Sequence, residues 1–170
     1  MKIAKELAKE AKKFNICKDW HDELLTLDDK KAMVKMYLKG IDFCLANDYP
    51  SNDYIKKNFG DVINDYNIFV DDEVDLINAK KCVALGSTNG LIKIDNFNVC
   101  EVFAKHESVL YIYAKDSAFI MVDAFDNSVV NIDAVDNAKV CVNRFGSATI
   151  NINKTDTAAV KIVEKNKKTY

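Results

Sequence analysis

The sequence predicts an α+β protein in which an N-terminal helical segment is followed by a short single-stranded β-solenoid. From Asn96 to Lys165 the chain repeats every ten residues, with apolar residues at the fifth and seventh positions of each unit and mostly small residues at the third. This alternation is typical of a β-strand with one buried face. The first two positions hold mainly turn-forming residues, so each unit is predicted to be one strand and one corner.

The phase of the repeat distinguishes two architectures. A meander with two-residue turns requires the buried face to alternate between odd and even positions, whereas this sequence keeps the same positions throughout. A solenoid requires that constant phase. Outward residues match better at a spacing of twenty than of ten, which predicts coils with two ten-residue sides; a three-sided coil of thirty residues matches less well. The twenty-residue coil stacks Phe125 on Phe145 and Asn131 on Asn151, and sets Asp133 beside Asn153.

Two regions are predicted, a helical cap or interaction region at 1–67 and the solenoid at 68–170. Helices are expected at 2–14, at 19–25, from a start at Thr26 and Asp29 to about Ala46, and at 52–66 with an interruption at Gly60. The Thr26–Asp29 pair is similar to a capping box with a short acid. A glycine inside a helix lowers its stability, so Gly40 indicates close packing.

Residues 68–72 have the composition of a strand. Residues 74–95 alternate out of phase with the later units and include a loop at 86–90, so they are predicted to form a first, irregular coil.

Composition excludes some functions. Net charge is −2 and the only arginine is Arg144, a pattern that argues against direct nucleic-acid binding. Five cysteines without a CxxC pair favour reduced thiols, with Cys100 in the core and Cys141 facing outward. No signal peptide or membrane-length apolar stretch is visible, so a cytoplasmic protein that does not bind membranes is predicted. The abundance of lysine, asparagine and isoleucine is typical of an AT-rich genome and predicts a bacterial or phage origin.

Three short segments carry a resemblance. Residues 40–44 (GIDFC), 48–51 (DYPS) and 69–72 (FVDD), together with the repeats, resemble uncharacterised small helix-plus-β-repeat proteins of gut Bacteroidota and their mobile elements. The resemblance implies no activity.

Early repeat units place large apolar residues at outward positions, where a solvated strand face would not have them. The predicted interaction patch comprises Phe103, Tyr111, Tyr113, Phe119 and Met121. An apolar patch of that size calls for a partner, which is the chain's own helices, another subunit or a foreign ligand.

Later units present stacked amides and carboxylates, a polar ladder of Asn131, Asp133, Asn151 and Asn153. Such oxygens can bind a cation, although a solvated face is the commoner outcome, and no metal site is predicted. The corner acids Asp116, Asp126, Asp136 and Asp156 are expected to hold local backbone N–H groups.

Catalytic motifs are scarce. His21 lacks a second pair of metal ligands, and no phosphate-binding loop, dinucleotide fingerprint or nucleophile elbow occurs, so no cofactor is expected. His106 lies at a corner, where some β-helix acyltransferases place a catalytic histidine, but their hexapeptide period is absent.

The leading hypothesis is a non-catalytic binding or scaffold protein whose partner is a protein or a second copy of itself, giving closed homo-oligomers. Alternatives are a phage or mobile-element protein that binds and inhibits a host factor, a filament-forming scaffold, and an acyltransferase-like enzyme that uses His106. Unpaired strand edges at a solenoid end favour self-association.

The predicted inward phase is testable. Val122→Asp or Ile132→Asp would bury an unpaired charge and should unfold the solenoid. Thermal unfolding followed by circular dichroism measures this. A melting temperature equal to that of the parent would show that these positions do not face the interior.

Overall fold

The computed structural model describes residues 2–170 and divides into two compact units, one comprising the chain up to residue 66 together with Tyr170 and the other spanning 67–169. The described part of the first unit contains helices and their connections but no strand. Its helices are α1 (Lys2–Ala11), α2 (Lys18–Thr26), α3 (Lys30–Lys39), α4 (Ile41–Ala46) and α5 (Asn52–Phe59), with 3-10 turns at Lys12–Phe14 and Gly60–Tyr66.

Helix α3 begins later than predicted. The carboxylate of Asp29 accepts a hydrogen bond from the backbone N–H of Ala32 at 3.0 Å, which makes Asp29 the N-cap. Thr26 instead belongs to the last turn of α2, where its hydroxyl donates to the carbonyl of Glu23. The prediction of Thr26 as the start is therefore wrong.

The helix predicted to run to Ala46 is divided at Gly40 into α3 and α4. A Cβ atom at Gly40 would lie 2.5 Å from the ring of Trp20, so only glycine lets the indole pack against the backbone there. The predicted close packing is confirmed.

Tyr49 links the segment after α4 to α1. Its side chain is buried, and its hydroxyl donates a hydrogen bond to the carbonyl of Leu7 at 2.9 Å.

The second unit is the predicted β-solenoid, with about five coils of about twenty residues. Its strands form two parallel sheets, sheet A in the order β1-β3-β5-β7-β9-β11 and sheet B in the order β10-β8-β6-β4-β2. The strands are β1 (Ile68–Val70), β2 (Glu73–Ile77), β3 (Lys81–Leu85), β4 (Asn89–Ile94), β5 (Val99–Ala104), β6 (Val109–Ala114), β7 (Phe119–Ala124), β8 (Val129–Ala134), β9 (Lys139–Arg144), β10 (Thr149–Lys154) and β11 (Ala159–Glu164).

Residues twenty apart are paired directly, as Tyr111 with Asn131 and Asn131 with Asn151. The interior is filled by the inward apolar positions, among them Val122 and Ile132, which are almost fully buried. The rings of Phe125 and Phe145 stack with centroids 4.5 Å apart, which confirms that prediction.

The irregular part of the solenoid is shorter than predicted. The twenty-residue register already holds from β3 onward, since Lys81 pairs with Glu101 and Asn89 with Val109. Only the first coil is short. Gly90 occupies an inward position that holds an apolar residue in the later units, so the repeat is not recognisable there in the sequence. A Cβ at this position would collide with the backbone of Val74, which explains the glycine.

Each regular corner contains one residue in the left-handed conformation. These residues have φ between 54° and 65°: Asn96, His106, Asp116, Asp126, Asp136, Gly146 and Asp156. Aspartate and asparagine tolerate this conformation better than other non-glycine residues, which explains the recurrent acids.

The corner side chains link neighbouring coils. The carboxylate of Asp116 accepts from the backbone N–H of Asn96 at 3.1 Å, that of Asp136 from Asp116 at 3.2 Å, and that of Asp156 from Asp136 at 3.4 Å. The acids thus hold backbone N–H groups as predicted, but the groups belong to the preceding coil. We call this series, together with its counterpart at the other corner, the corner ladder.

At that other corner, the carboxylate of Asp126 accepts from the backbone N–H of His106 at 3.2 Å. The same carboxylate forms an ion pair with the ammonium of Lys105 at 3.1 Å, and the Lys105 side chain is almost completely buried. Asp126 therefore stabilises both the corner and a buried cation.

The corner ladder predicts a graded set of variants. Asp136→Ala should lower the free energy of unfolding by about 1–2 kcal/mol, because it removes a charged acceptor and a residue suited to the left-handed conformation. Asp136→Asn retains both properties in large part and should lower the free energy of unfolding less, which makes it the matched control.

Asp126→Ala should lower the free energy of unfolding by about 3 kcal/mol, since it also removes the carboxylate that pairs with the buried ammonium of Lys105. Denaturant unfolding measures all three, and equal effects of Asp136→Ala and Asp136→Asn would contradict this role.

Candidate functional site

The predicted interaction patch is divided between the two outer faces of the solenoid. Tyr111 and Tyr113 lie on β6 in sheet B, whereas Phe103 on β5 and Phe119 and Met121 on β7 lie in sheet A. Phe119 and Met121 are exposed, but Phe103 is only 8 % exposed. These five residues therefore do not form one continuous surface.

The outer face of sheet B joins the two tyrosines to the polar ladder. A shallow groove of about 660 Å³ runs across four successive strands of this sheet. It is lined by six of the predicted site residues: Tyr111, Tyr113, Asn131, Asp133, Asn151 and Asn153. Tyr111 is 55 % exposed, so the groove presents aromatic side chains on β6 and polar side chains on β8 and β10. Their role in binding stays a prediction.

Amides of the polar ladder bind one another along the solenoid axis. The side-chain amide of Asn151 donates to the side-chain oxygen of Asn131 at 2.9 Å, and that of Asn153 donates to Asp133 at 3.1 Å. The predicted side-by-side placement is confirmed. Across residues 2–170, no group of three or more His, Cys, Asp or Glu side chains is arranged to hold a metal ion.

Besides the inward Ile112, Ile132 and Ile152, two outward residues line the groove that the sequence prediction does not include. Leu91 and Lys93 on β4 pair with Tyr111 and Tyr113 and line the same groove. They lie twenty residues before the tyrosines, which is the signal that identifies them. Because Gly90 interrupts the apolar pattern of the later units, the sequence places Leu91 and Lys93 in an irregular first coil.

The imidazole of His106 has a structural contact. Its Nδ1 accepts a hydrogen bond from the backbone N–H of Gly86 at 3.0 Å, so in this bond the ring carries its proton on Nε2. The contact is equivalent to the one that aspartates make at the other rungs of the corner ladder. His106 is thus placed where a side-chain acceptor is needed between two coils.

Cysteines of the solenoid interior are poorly suited to nucleophilic chemistry. Burial, and secondarily the charge of Glu101, raises the pKa of the Cys100 thiol to about 12. Burial also raises the pKa of Cys82 well above the ordinary range for a thiol. Because the thiolate is the reactive form, neither thiol is activated. Cys100 is in the core as predicted, and Cys141 is half-buried on the outer side.

The end of the solenoid formed by β10 and β11, here called the β10–β11 end, exposes part of the interior. Ile152 and Ile162 occupy inward positions but are 41 % and 36 % exposed, whereas Ile132 one coil earlier is 2 % exposed. Within residues 2–170, β10 and β11 are the last strands of their sheets, so each has one edge without a strand partner. This end combines apolar side chains with unpaired backbone groups.

No protein-family model, curated protein or solved structure matches this chain. Among the described residues, 2–170, the helices are too short or too polar to span a membrane.

The structural role of His106 leads to a specific prediction. His106→Asp replaces the ring with the residue found at the equivalent rungs, so its melting temperature should stay close to that of the parent. His106→Ala removes the acceptor and should lower the free energy of unfolding by about 1–2 kcal/mol. Equal losses for the two variants, measured by thermal unfolding, would show that the acceptor contact is unimportant.

Proposed function

We propose that this chain is a non-catalytic binding or scaffold protein that acts through self-association and through contacts with a protein partner. The observation that carries the proposal is the β10–β11 end, where two strand edges and the inward Ile152 and Ile162 are exposed. Open strand edges beside apolar side chains are a site for pairing with another chain.

Rigidity supports a scaffold role. The corner ladder and the parallel sheets hold the coils from β3 onward in the same register, so the outer face of sheet B presents side chains at fixed spacings. Solenoids use such extended surfaces to bind other proteins. The groove lined by Tyr111, Tyr113 and the polar ladder is the surface we assign to a partner, because exposed aromatic rings are enriched at protein interfaces.

His106 does not extend the proposal to acyl transfer. Its Nδ1 accepts a hydrogen bond from the backbone N–H of Gly86, and this contact supports a structural role for the residue. A structural role also agrees with the recurrence of acceptor side chains at the corners.

Sedimentation velocity across protein concentrations tests the proposal. The sedimentation coefficient of the intact chain should rise with concentration and reach a plateau that corresponds to a small closed oligomer. A coefficient that stays at the monomer value over about a hundredfold range, up to the concentrations at which weak assemblies form, would contradict self-association.

A further inference from the structure

We propose that the β10–β11 end binds the same end of a second copy of this chain, in a twofold arrangement that pairs β11 of each copy with β10 of the other. The inference rests on the proposed self-association and specifies its surface, its occupant and its geometry.

The β10–β11 end imposes two demands on any occupant. It must satisfy two strand edges, one in each sheet, and at the same time cover the inward Ile152 and Ile162. A single peptide strand meets only one edge. A second solenoid end with the same two-sided coil meets both edges and supplies apolar residues opposite the isoleucines.

A twofold axis fits the shape of this end. Because β11 follows β10 by half a coil, the end is a ramp on which β11 projects further than β10. When a second copy is rotated by the twofold axis, the projecting β11 of each copy lies against the recessed β10 of the other. Both pairs of strands then come within pairing distance, and the paired strands run antiparallel. Twofold symmetry makes the interface self-complementary and closes the assembly at a dimer.

The opposite end of the solenoid does not offer the same surface. In β1, Ile68, Phe69 and Val70 are all buried, including the side chains on both faces of the strand. Of these two end strands, only β2 presents exposed residues, namely Glu73, Asp75 and Ile77. In a head-to-tail contact, Ile152 and Ile162 would therefore meet one fully buried strand and one strand with two exposed acids, whereas the twofold contact brings together the same two isoleucines from each copy.

Charge makes the two arrangements respond oppositely to salt. Between residues 149 and 168 there are five lysines and two acids, so two such ends repel each other. Salt screens that repulsion and should strengthen the twofold dimer. A head-to-tail contact would set this basic end against Glu73 and Asp75, and salt should weaken it. Surface ion pairs contribute little, so the two-strand junction outweighs the charge preference.

Paired variants test the surface. Ile152→Lys with Ile162→Lys places charge at the proposed interface and should raise the dissociation constant of the dimer at least about a hundredfold. Thr149→Lys with Ala159→Lys adds the same two charges to the same strands at exposed outward positions and is the matched control. Its dimer should weaken much less. Circular dichroism checks that both proteins are folded, and sedimentation velocity measures association.

Mixing tests the geometry. Labelled Ile152→Lys, Ile162→Lys protein carries charge at the end used for the like-to-like dimer, so it should not sediment with unlabelled parent protein at concentrations where the parent dimerises. In a head-to-tail assembly it would still offer its β1–β2 end and would join the parent. Co-sedimentation of the two proteins would therefore overturn the proposal.

The salt dependence of the parent protein supplies a test that needs no variant. Dimerisation should strengthen between about 50 mM and about 500 mM NaCl, the range over which the Debye length falls from roughly 14 to roughly 4 Å. Weakening across that range, or equal dissociation constants for the end variant and its control, would overturn the proposed surface while leaving self-association intact. A parent protein that stays monomeric would overturn self-association itself.

Discussion

Corner-to-corner hydrogen bonding is the interaction on which this solenoid depends. At most of the regular corners, the backbone N–H of the left-handed residue donates to a side chain of the following coil, such as Asp116 or Asp136. Gly146 interrupts the series because it has no side chain, and its own N–H donates to the backbone carbonyl of Lys167. These bonds recur every twenty residues and keep successive coils in residue-for-residue register. Inward positions then stack on inward positions, and the apolar interior is continuous. A slip by one residue would reverse the face of every side chain in a strand.

The same register determines what the surface can do. Equivalent outward residues form rows along the axis, so the amides of Asn131 and Asn151 hydrogen-bond each other and line the same groove as the tyrosines. Register also means that an incomplete coil exposes the interior. At β10 and β11 no further coil covers Ile152 and Ile162 among the described residues, and this exposure makes the β10–β11 end a surface for association.

Much of the solenoid could be predicted because the same residue types recur at fixed positions of each ten-residue unit. The inward positions, the Phe125–Phe145 stack and the amide pairs follow from a period of twenty. Features set by contacts between distant residues could not be predicted. The sequence of a single corner does not show that the carboxylate of Asp136 accepts a hydrogen bond from the preceding coil. Gly90 stands where the repeat would have an apolar residue, because the backbone of Val74 occupies the space of a side chain there. The repeat is therefore not recognisable at Gly90 in the sequence, and the place of Leu91 and Lys93 in the groove could not be predicted.

The β10–β11 end is the surface on which the proposed self-association depends most. Amide hydrogen exchange of the parent protein at low and high concentration tests this directly, because antiparallel pairing would protect edge amides that are otherwise open to water. Raising the concentration should slow exchange within residues 149–164 and leave β2 (Glu73–Ile77) unchanged. Exchange that does not depend on concentration in 149–164, or that slows in β2 instead, would contradict the account.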